Sequence, residues 1–511
     1  MDYKLIRENF TVRKTIYDGV VQQSAELDYI LPDYYPEIYK VLNIRLLPFI
    51  QKRSLNGTKL EYELAAKVRL VYVSESGEIS AVEQVLSYGK SQELGQAAKS
   101  MRICLSPYTD SVSCRVVNKR RVDIRGIISV AVSVTADETK QAVSGASGGG
   151  IQLKKSLITY PSRRIAVTKR VTVVDDVELG TNYPALKTVV RADSSVISFE
   201  KKILSGKLLT KGEAEVSLLY IPEGSAEPQS IKFNIPFSQI SDIEGLDERY
   251  DLVLDANVVS CEIKPSSKTE TPSVNCELGI DISCLAMKFE SAELATDGFS
   301  TIYETELESC RESIECIPVP INESHRQKSS LTYNDGEIRS VIYAGAEVGR
   351  ITCEQLKDGE IILRGRITIY AYAKNESGMP IYLETTEQLE HRIAGSAQEI
   401  CASAEVHAMV NSASYNLTSS NALEVNADIK LSGYLYEESE RSFISGVSLD
   451  ESRPIESDRD IAIKLYYAEA GEEPWEIAKR CHAGVAAITE ENELDCERLS
   501  EPKMILIPIV D

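Results

Sequence analysis

The sequence predicts a mainly β protein, with three tandem antiparallel β-sandwich or barrel-like domains ahead of a small C-terminal βααβ module. The first observation behind this is that Leu60, Tyr62, Leu64, Ala66, Val68, Leu70 and Tyr72 alternate with Glu61, Glu63, Lys67 and Arg69. That is the period of a strand with one buried face. The second is that the pattern returns 148 residues later over Leu208–Tyr220, and 153 residues after that over Ile361–Ala373. Recurrence at a domain-sized spacing marks copies of one unit. The third is that helical periodicity is sparse through residues 1–440.

At 511 residues the chain is too long for one core and suits three or four domains at roughly 150 residues each. Its 56 Lys and Arg face 78 Asp and Glu, a net charge of −22 that repels phosphate backbones and anionic lipid. Nucleic acid and direct membrane insertion are therefore not expected. The opening MDYKLIRENF carries no apolar signal core, and no stretch approaches the ~18 apolar residues of a spanning helix, so a cytosolic protein is expected. Eleven cysteines at irregular spacing, without a CxxC pair, suit reduced and mostly buried thiols.

The first β domain is expected over residues 1–137. Its distinctive segment, Glu26-Leu27-Asp28-Tyr29-Ile30-Leu31-Pro32-Asp33-Tyr34-Tyr35-Pro36-Glu37-Ile38, reads as an irregular loop or short turn, because proline fixes its own φ and keeps the preceding residue out of the helix. The tyrosines there fit an aromatic lid over a sheet edge, with a binding surface as the alternative. Tyr183-Pro184 repeats Tyr35-Pro36 148 residues on, and only Asp335–Val341 stands at this place in the third copy. Each copy's central strand runs through a polar turn (Ser74–Gly77, Glu223–Ser225, Asn375–Gly378) into a second strand, as a hairpin does. Each copy closes on another alternating strand: Val122–Val134, Val274–Ala286 and Leu423–Leu435.

By composition, residues 138–150 (ETKQAVSGASGGG) form a flexible, protease-sensitive linker. The second domain is then expected over 151–310 and a divergent third over 311–437, these two packing together. Residues 438–460, acidic and serine-rich, form a second linker, and 461–511 form the module.

Little in the sequence points to catalysis. His325, His391, His407 and His482 sit on separate elements, and the phosphate-cradle and zinc-protease motifs are absent. The formal GxSxG match at Gly145–Gly149 lacks the helix that a nucleophile elbow needs. Cys481-His482 ends a predicted helix, where an inward-packed thiol is the ordinary reading. No enzyme, cofactor or metal site is expected.

The module reads as a strand from Ile461 to Ala468, a helix opened by Pro474 in its first turn, a second helix closed by Asn492, and a return strand through Ile505 and Ile507. Gly471, Trp475, Ile477, Ala478, Asn492, Leu494 and Ile507-Pro508 match in order the pattern of a LysM domain, which the module resembles. Glu472-Glu473-Pro474 replaces the family's Asp-Thr-Leu, which removes the hydroxyl N-cap and alters the loop that lines the usual glycan groove. The Glu26–Ile38 segment is similar to the opening motif of SPOCS domains, and Ala295–Ser300 to the Asp-Ala-Tyr-Ser segment that follows them. Tandem SPOCS domains ending in one LysM domain resemble the SipL-like family of spore-coat morphogenetic proteins. That resemblance implies a non-enzymatic scaffold in the mother-cell cytoplasm, recruited to the forespore surface and docking a SpoIVA-like coat ATPase. A peptidoglycan-binding LysM protein is the alternative.

Residues 461–511 hold eleven acids and five bases, net −6, which suits a basic protein patch better than an anionic wall polymer. The expected partner-binding residues are Glu472, Glu473, Trp475, Glu476, Lys479 and Asn492, with Trp475, the sole tryptophan, as the anchor. The other role open to Trp475 is to cover Ile477 and the return strand.

Overall fold

The structure, a computed structural model, describes residues 3–95, 101–180, 182–225, 227–266, 271–396, 399–456, 462–495 and 498–508. Thr181, residues 457–460 of the expected acidic linker, the module's first residue Ile461, Cys496, Glu497 and Asp511 lie outside them.

The first unit is built from β1 (Lys4–Ile30), β2 (Lys40–Asn56), β3 (Lys59–Val73), β4 (Ile79–Glu93), β5 (Arg102–Asn118) and β6 (Arg121–Ser147). They form two three-stranded antiparallel sheets, ordered β1-β6-β5 and β2-β3-β4. The same order recurs in the second unit, with β7 (Ile151–Glu178), β8 (Leu186–Leu204), β9 (Lys207–Pro222), β10 (Gln229–Asp242), β11 (Asp251–Ser266) and β12 (Ser273–Ser300). In the third unit the first strand is split into β13 (Tyr303–Glu315) and β14 (Val319–Thr332), both pairing with β20 (Ala422–Pro454). Its other sheet holds β15 (Ile338–Val348), β16 (Thr352–Gln355), β17 (Ile361–Asn375) and β18 (Pro380–Ile393), while β19 (Ile400–Ser419) joins β20. The molecule is thus mainly β, built of small antiparallel sheets, as expected.

Alternation explains the core of each unit. Leu60, Tyr62, Leu64, Val68, Leu70 and Tyr72 of β3 are buried against Val122, Ile124, Ile128, Val130 and Val132 of β6. The hairpins expected after each central strand form, as β3/β4, β9/β10 and β17/β18. Gly77, Gly224 and Gly378 take φ of +83°, +73° and +80° in their turns, a region open to glycine at little strain.

The loop that opens the first unit is held from inside, because the Tyr72 hydroxyl donates to Pro36 O at 2.9 Å. Tyr220 repeats this bond to Pro184 O at 3.0 Å. The third unit has Ala373 at the corresponding position, and its segment between β14 and β15 is shorter. The Tyr-Pro motif is therefore a structural fastening, although Tyr34 and Tyr39 are exposed at the loop surface.

Two expectations are corrected. Residues 138–147 are not a flexible tether but the end of the 27-residue strand β6, paired with β1 from Glu138↔Val12 to Ser147↔Lys4. Likewise β20 runs on to Pro454 through most of the expected acidic linker. The physical reason is burial. Phe10, Val12 and Ala142 of the first unit, Ile158, Tyr160, Ala292 and Leu294 of the second, and Ile314 and Phe443 of the third share one core. A second shared core follows, of Val143, Ala295, Ile444 and Val447. The glycines at 148–150 are instead a tight turn, with φ of +81°, +62° and +63°. A Cβ on Gly149 would lie 2.5 Å from Leu449, and one on Gly150 2.4 Å from Thr301 Oγ1. The third unit accordingly begins at Tyr303, and not after residue 310.

The three units close around a common centre. Val71, Val73, Leu219, Ile221, Tyr370 and Tyr372 meet on the outward faces of the central strands, so those strands are buried on both faces where units touch. Next to this cluster, Arg45 on β2, Arg191 and Asp193 on β8 and Glu347 on β15 alternate in a closed set of ion pairs. Arg191 also stacks 4.0 Å over the Tyr370 ring. Further along, Arg13, Arg164 and Glu315 occupy positions 151 residues apart on β1, β7 and β13. Both arginines bind the buried Glu315, and they line a cavity of about 230 Å³ with Asp137 and Arg102. All three units therefore pack together, and not only the second with the third.

Candidate functional site

The module is β21 (Ile463–Ala468), α1 (Pro474–Cys481), α2 (Val485–Glu491) and β22 (Lys503–Pro508), the βααβ order that the sequence predicts. Pro474 stands in the first turn of α1, and no side chain caps the helix from Glu473. Ile477, Ala478, Ile488, Ile505 and Ile507 form the interior.

The six residues nominated from the sequence do not make one open surface. Trp475 is 8 % exposed and packs edge-on against Phe299 of β12 with centroids 5.2 Å apart. Its Nε1 donates to Asp297 Oδ2 at 2.8 Å, and Lys479 Nζ donates to both oxygens of Asp297 at 2.6 and 2.7 Å. Burial alone would raise the Asp297 pKa, but the hydrogen bonds from Lys479 and Trp475 outweigh it and hold the carboxyl below its ordinary value. Glu473 accepts from Lys154 of β7 and from Arg498, and those bonds lower its pKa. Three nominated residues thus fasten the module to the second unit.

Two others work inside the module. Glu472 accepts from the Glu469 amide at 3.0 Å and from the Tyr466 hydroxyl at 3.0 Å, and the amide bond leads in lowering its pKa. Asn492 is 8 % exposed. It donates to Ile488 O and Leu506 O and accepts from Leu506 N, tying α2 to β22. Glu476 is the one exposed residue of the six. The assignment of Trp475 as an outward anchor is corrected: the indole has one polar atom to satisfy, and Asp297 satisfies it within the chain.

The open surface lies on the other side. Ile463, Leu465 and Tyr467 on β21 and Met504 on β22 are 46, 67, 63 and 50 % exposed, and Tyr467 pairs directly with Met504. A two-stranded sheet whose inner face already buries Ala468, Ile505 and Ile507 should carry polar residues outside. This one is apolar on both faces. The signal was present in the sequence, because Ile463-Lys464-Leu465-Tyr466-Tyr467-Ala468 is too rich in large apolar groups for a half-buried strand.

Elsewhere the chemistry is sparse. Among the described residues no group of three or more His, Cys, Asp or Glu is placed to hold a metal, and no helix is long and apolar enough to cross a membrane. Ser147 ends a strand that turns into β7, so the GxSxG match lacks an elbow.

Comparison with known proteins adds one finding. Neither curated proteins nor solved structures yield a match to the chain. Residues 186–265, which span β8 to β11 of the second unit, match the family described as SipL, SPOCS domain. The second unit is thus similar over residues 186–265 to a SipL-type SPOCS domain.

Proposed function

We propose that this protein is a non-enzymatic scaffold of endospore coat assembly, working in the mother-cell cytoplasm at the forespore surface and docking a SpoIVA-like coat ATPase through its LysM-like module. The observation that carries the reading is the exposed apolar face of Ile463, Leu465, Tyr467 and Met504, on a module held in place by Asp297. An apolar patch on a module of net charge −6 suits a protein partner with an apolar centre and a basic surround. The SPOCS match supports the sporulation setting. The three units supply a rigid platform in this reading, since they share cores.

The test is capture of the purified SpoIVA-like ATPase by the full-length protein and by its Leu465→Glu and Tyr467→Glu variants. Each substitution puts a charge on the patch without touching the module core, and each should weaken capture at least about tenfold. Undiminished capture by both variants would overturn this docking surface. Specific retention on purified peptidoglycan, lost in the same variants, would favour a glycan-binding role instead.

A further inference from the structure

Cys353 on β16 and Cys401 on β19 lie 48 positions apart in the chain, with their Sγ atoms 3.8 Å from each other. The two strands belong to different sheets of the third unit. Gln355 pins them together: its Oε1 accepts from Cys401 N at 2.8 Å, and its Nε2 donates to Ser396 O at 3.0 Å and Glu399 O at 2.8 Å. A disulfide needs its sulfurs at about 2.04 Å. With the backbone held by Gln355, the gap is within reach of side-chain rotation. Both cysteines are only partly buried, so a small oxidant can reach them.

We propose that Cys353 and Cys401 are a redox-modification site, closing to a disulfide on exposure to a peroxide and tying together the two sheets of the third unit. The thiolate of Cys353 attacks one peroxide oxygen, the O–O bond breaks, and the products are a sulfenic acid on Cys353 and, after proton uptake, one water. The Cys401 sulfur then attacks the sulfenic sulfur; the S–O bond breaks, and the hydroxyl leaves with the Cys401 proton as a second water. Two thiols lose two electrons in all, and one hydrogen peroxide takes them up.

The pair is electronically unequal, which sets the order of attack. The hydrogen bond from the Cys401 thiol lowers Cys353 to about 7, and the same interaction pushes Cys401 up. Burial instead raises Cys104, Cys114, Cys284 and Cys316 to about 11, leaving them poor nucleophiles at neutral pH.

The experiment treats the reduced full-length protein at pH 7 with a small excess of hydrogen peroxide, alkylates the remaining thiols, and maps peptides by mass. The expected result is a cross-linked Cys353–Cys401 peptide, two fewer alkylatable thiols, and a melting temperature several degrees higher that returns to its starting value with dithiothreitol. Cys353→Ser and Cys401→Ser should each abolish the cross-link and the shift, and in Cys401→Ser dimedone should trap a sulfenic acid on Cys353. If the wild-type map shows both residues still alkylatable while other thiols have oxidised, or if the stabilisation persists in Cys353→Ser, the assignment is overturned. The wild-type map decides the matter even if a variant folds poorly.

Discussion

Trp475 Nε1 donates to Asp297 Oδ2 across 178 positions of chain, so the single tryptophan of the module finds its polar partner on the last strand of the second unit. Removing the indole should therefore act first on attachment and module packing, and on partner capture only through them. Trp475→Ala should destabilise the module by about 3–5 kcal/mol, the range for large aromatic truncations in a core. Hydrogen exchange over α1 and β12 would report it, and unchanged protection in both would contradict this role.

Asp297→Asn keeps the shape and removes the charge that Lys479 meets. A loss of about 1.5–3 kcal/mol is expected for charge-assisted hydrogen bonds in a partly buried site. The wild-type contact should depend on pH in one direction. The Asp297 pKa is lowered in the folded state from 3.8, so its contribution is complete above the ordinary carboxylate value and is lost as pH falls through the lower folded value. Increased proteolysis of the module below about pH 4 in wild type, and not in Asp297→Asn, would check this.

The ion pairs at the centre of the three units make a similar prediction. Burial opposes ionisation of Asp193, but Arg191 and Arg45 hold it at about 2. Arg191→Ala should cost about 3 kcal/mol, the low end for a broken buried pair. Asp193 and Glu347 are 37 and 41 % exposed and regain some water, which limits the loss. Chemical denaturation at pH 7 should show the deficit, and it should shrink as pH falls from about 4 towards 2, where the carboxylate no longer needs its partner.

Gly149→Ala should be unfavourable twice over, through φ of +62° and through a Cβ 2.5 Å from Leu449. A loss of about 1–3 kcal/mol in thermal unfolding is expected. Limited proteolysis of wild type should spare residues 138–147, since they are paired within β6. An early cut there would contradict the strand.

Tyr72→Phe and Tyr220→Phe each remove one hydroxyl bond to a proline carbonyl. Each should cost about 0.5–1.5 kcal/mol, measurable in urea unfolding, with the repeat relationship predicting similar values at both sites.

Much of the fold was legible because alternation reports burial directly: Leu60 to Tyr72 packed as their spacing implied. What alternation missed was the second buried face. Leu70-Val71-Tyr72-Val73 breaks the pattern with a continuous apolar run, and that run marks where neighbouring units cover β3. Arg69, assigned to the outward face, is 3 % exposed and pairs with Glu83. The stretch ETKQAVSGASGGG has the composition of a linker, and composition cannot sense a partner strand more than a hundred residues earlier in the same unit. The docking residues misled for a related reason. Tryptophan and acidic residues in a loop suit an interface, and they do form one, but with Asp297 and Lys154 of this chain.

Closure of three units around shared cores also bears on how such a chain can change its length. An open array can gain or lose a repeat at either end, because each repeat contacts only its neighbours. Here every unit touches both others, and Glu315 of the third completes the arginines of the first and second. A two-unit truncation would expose a core and leave Arg13 and Arg164 facing a missing carboxylate, whereas a fourth copy would have no seat. The repeat number is therefore locked by geometry, and sequence drift among the copies is the freedom that remains.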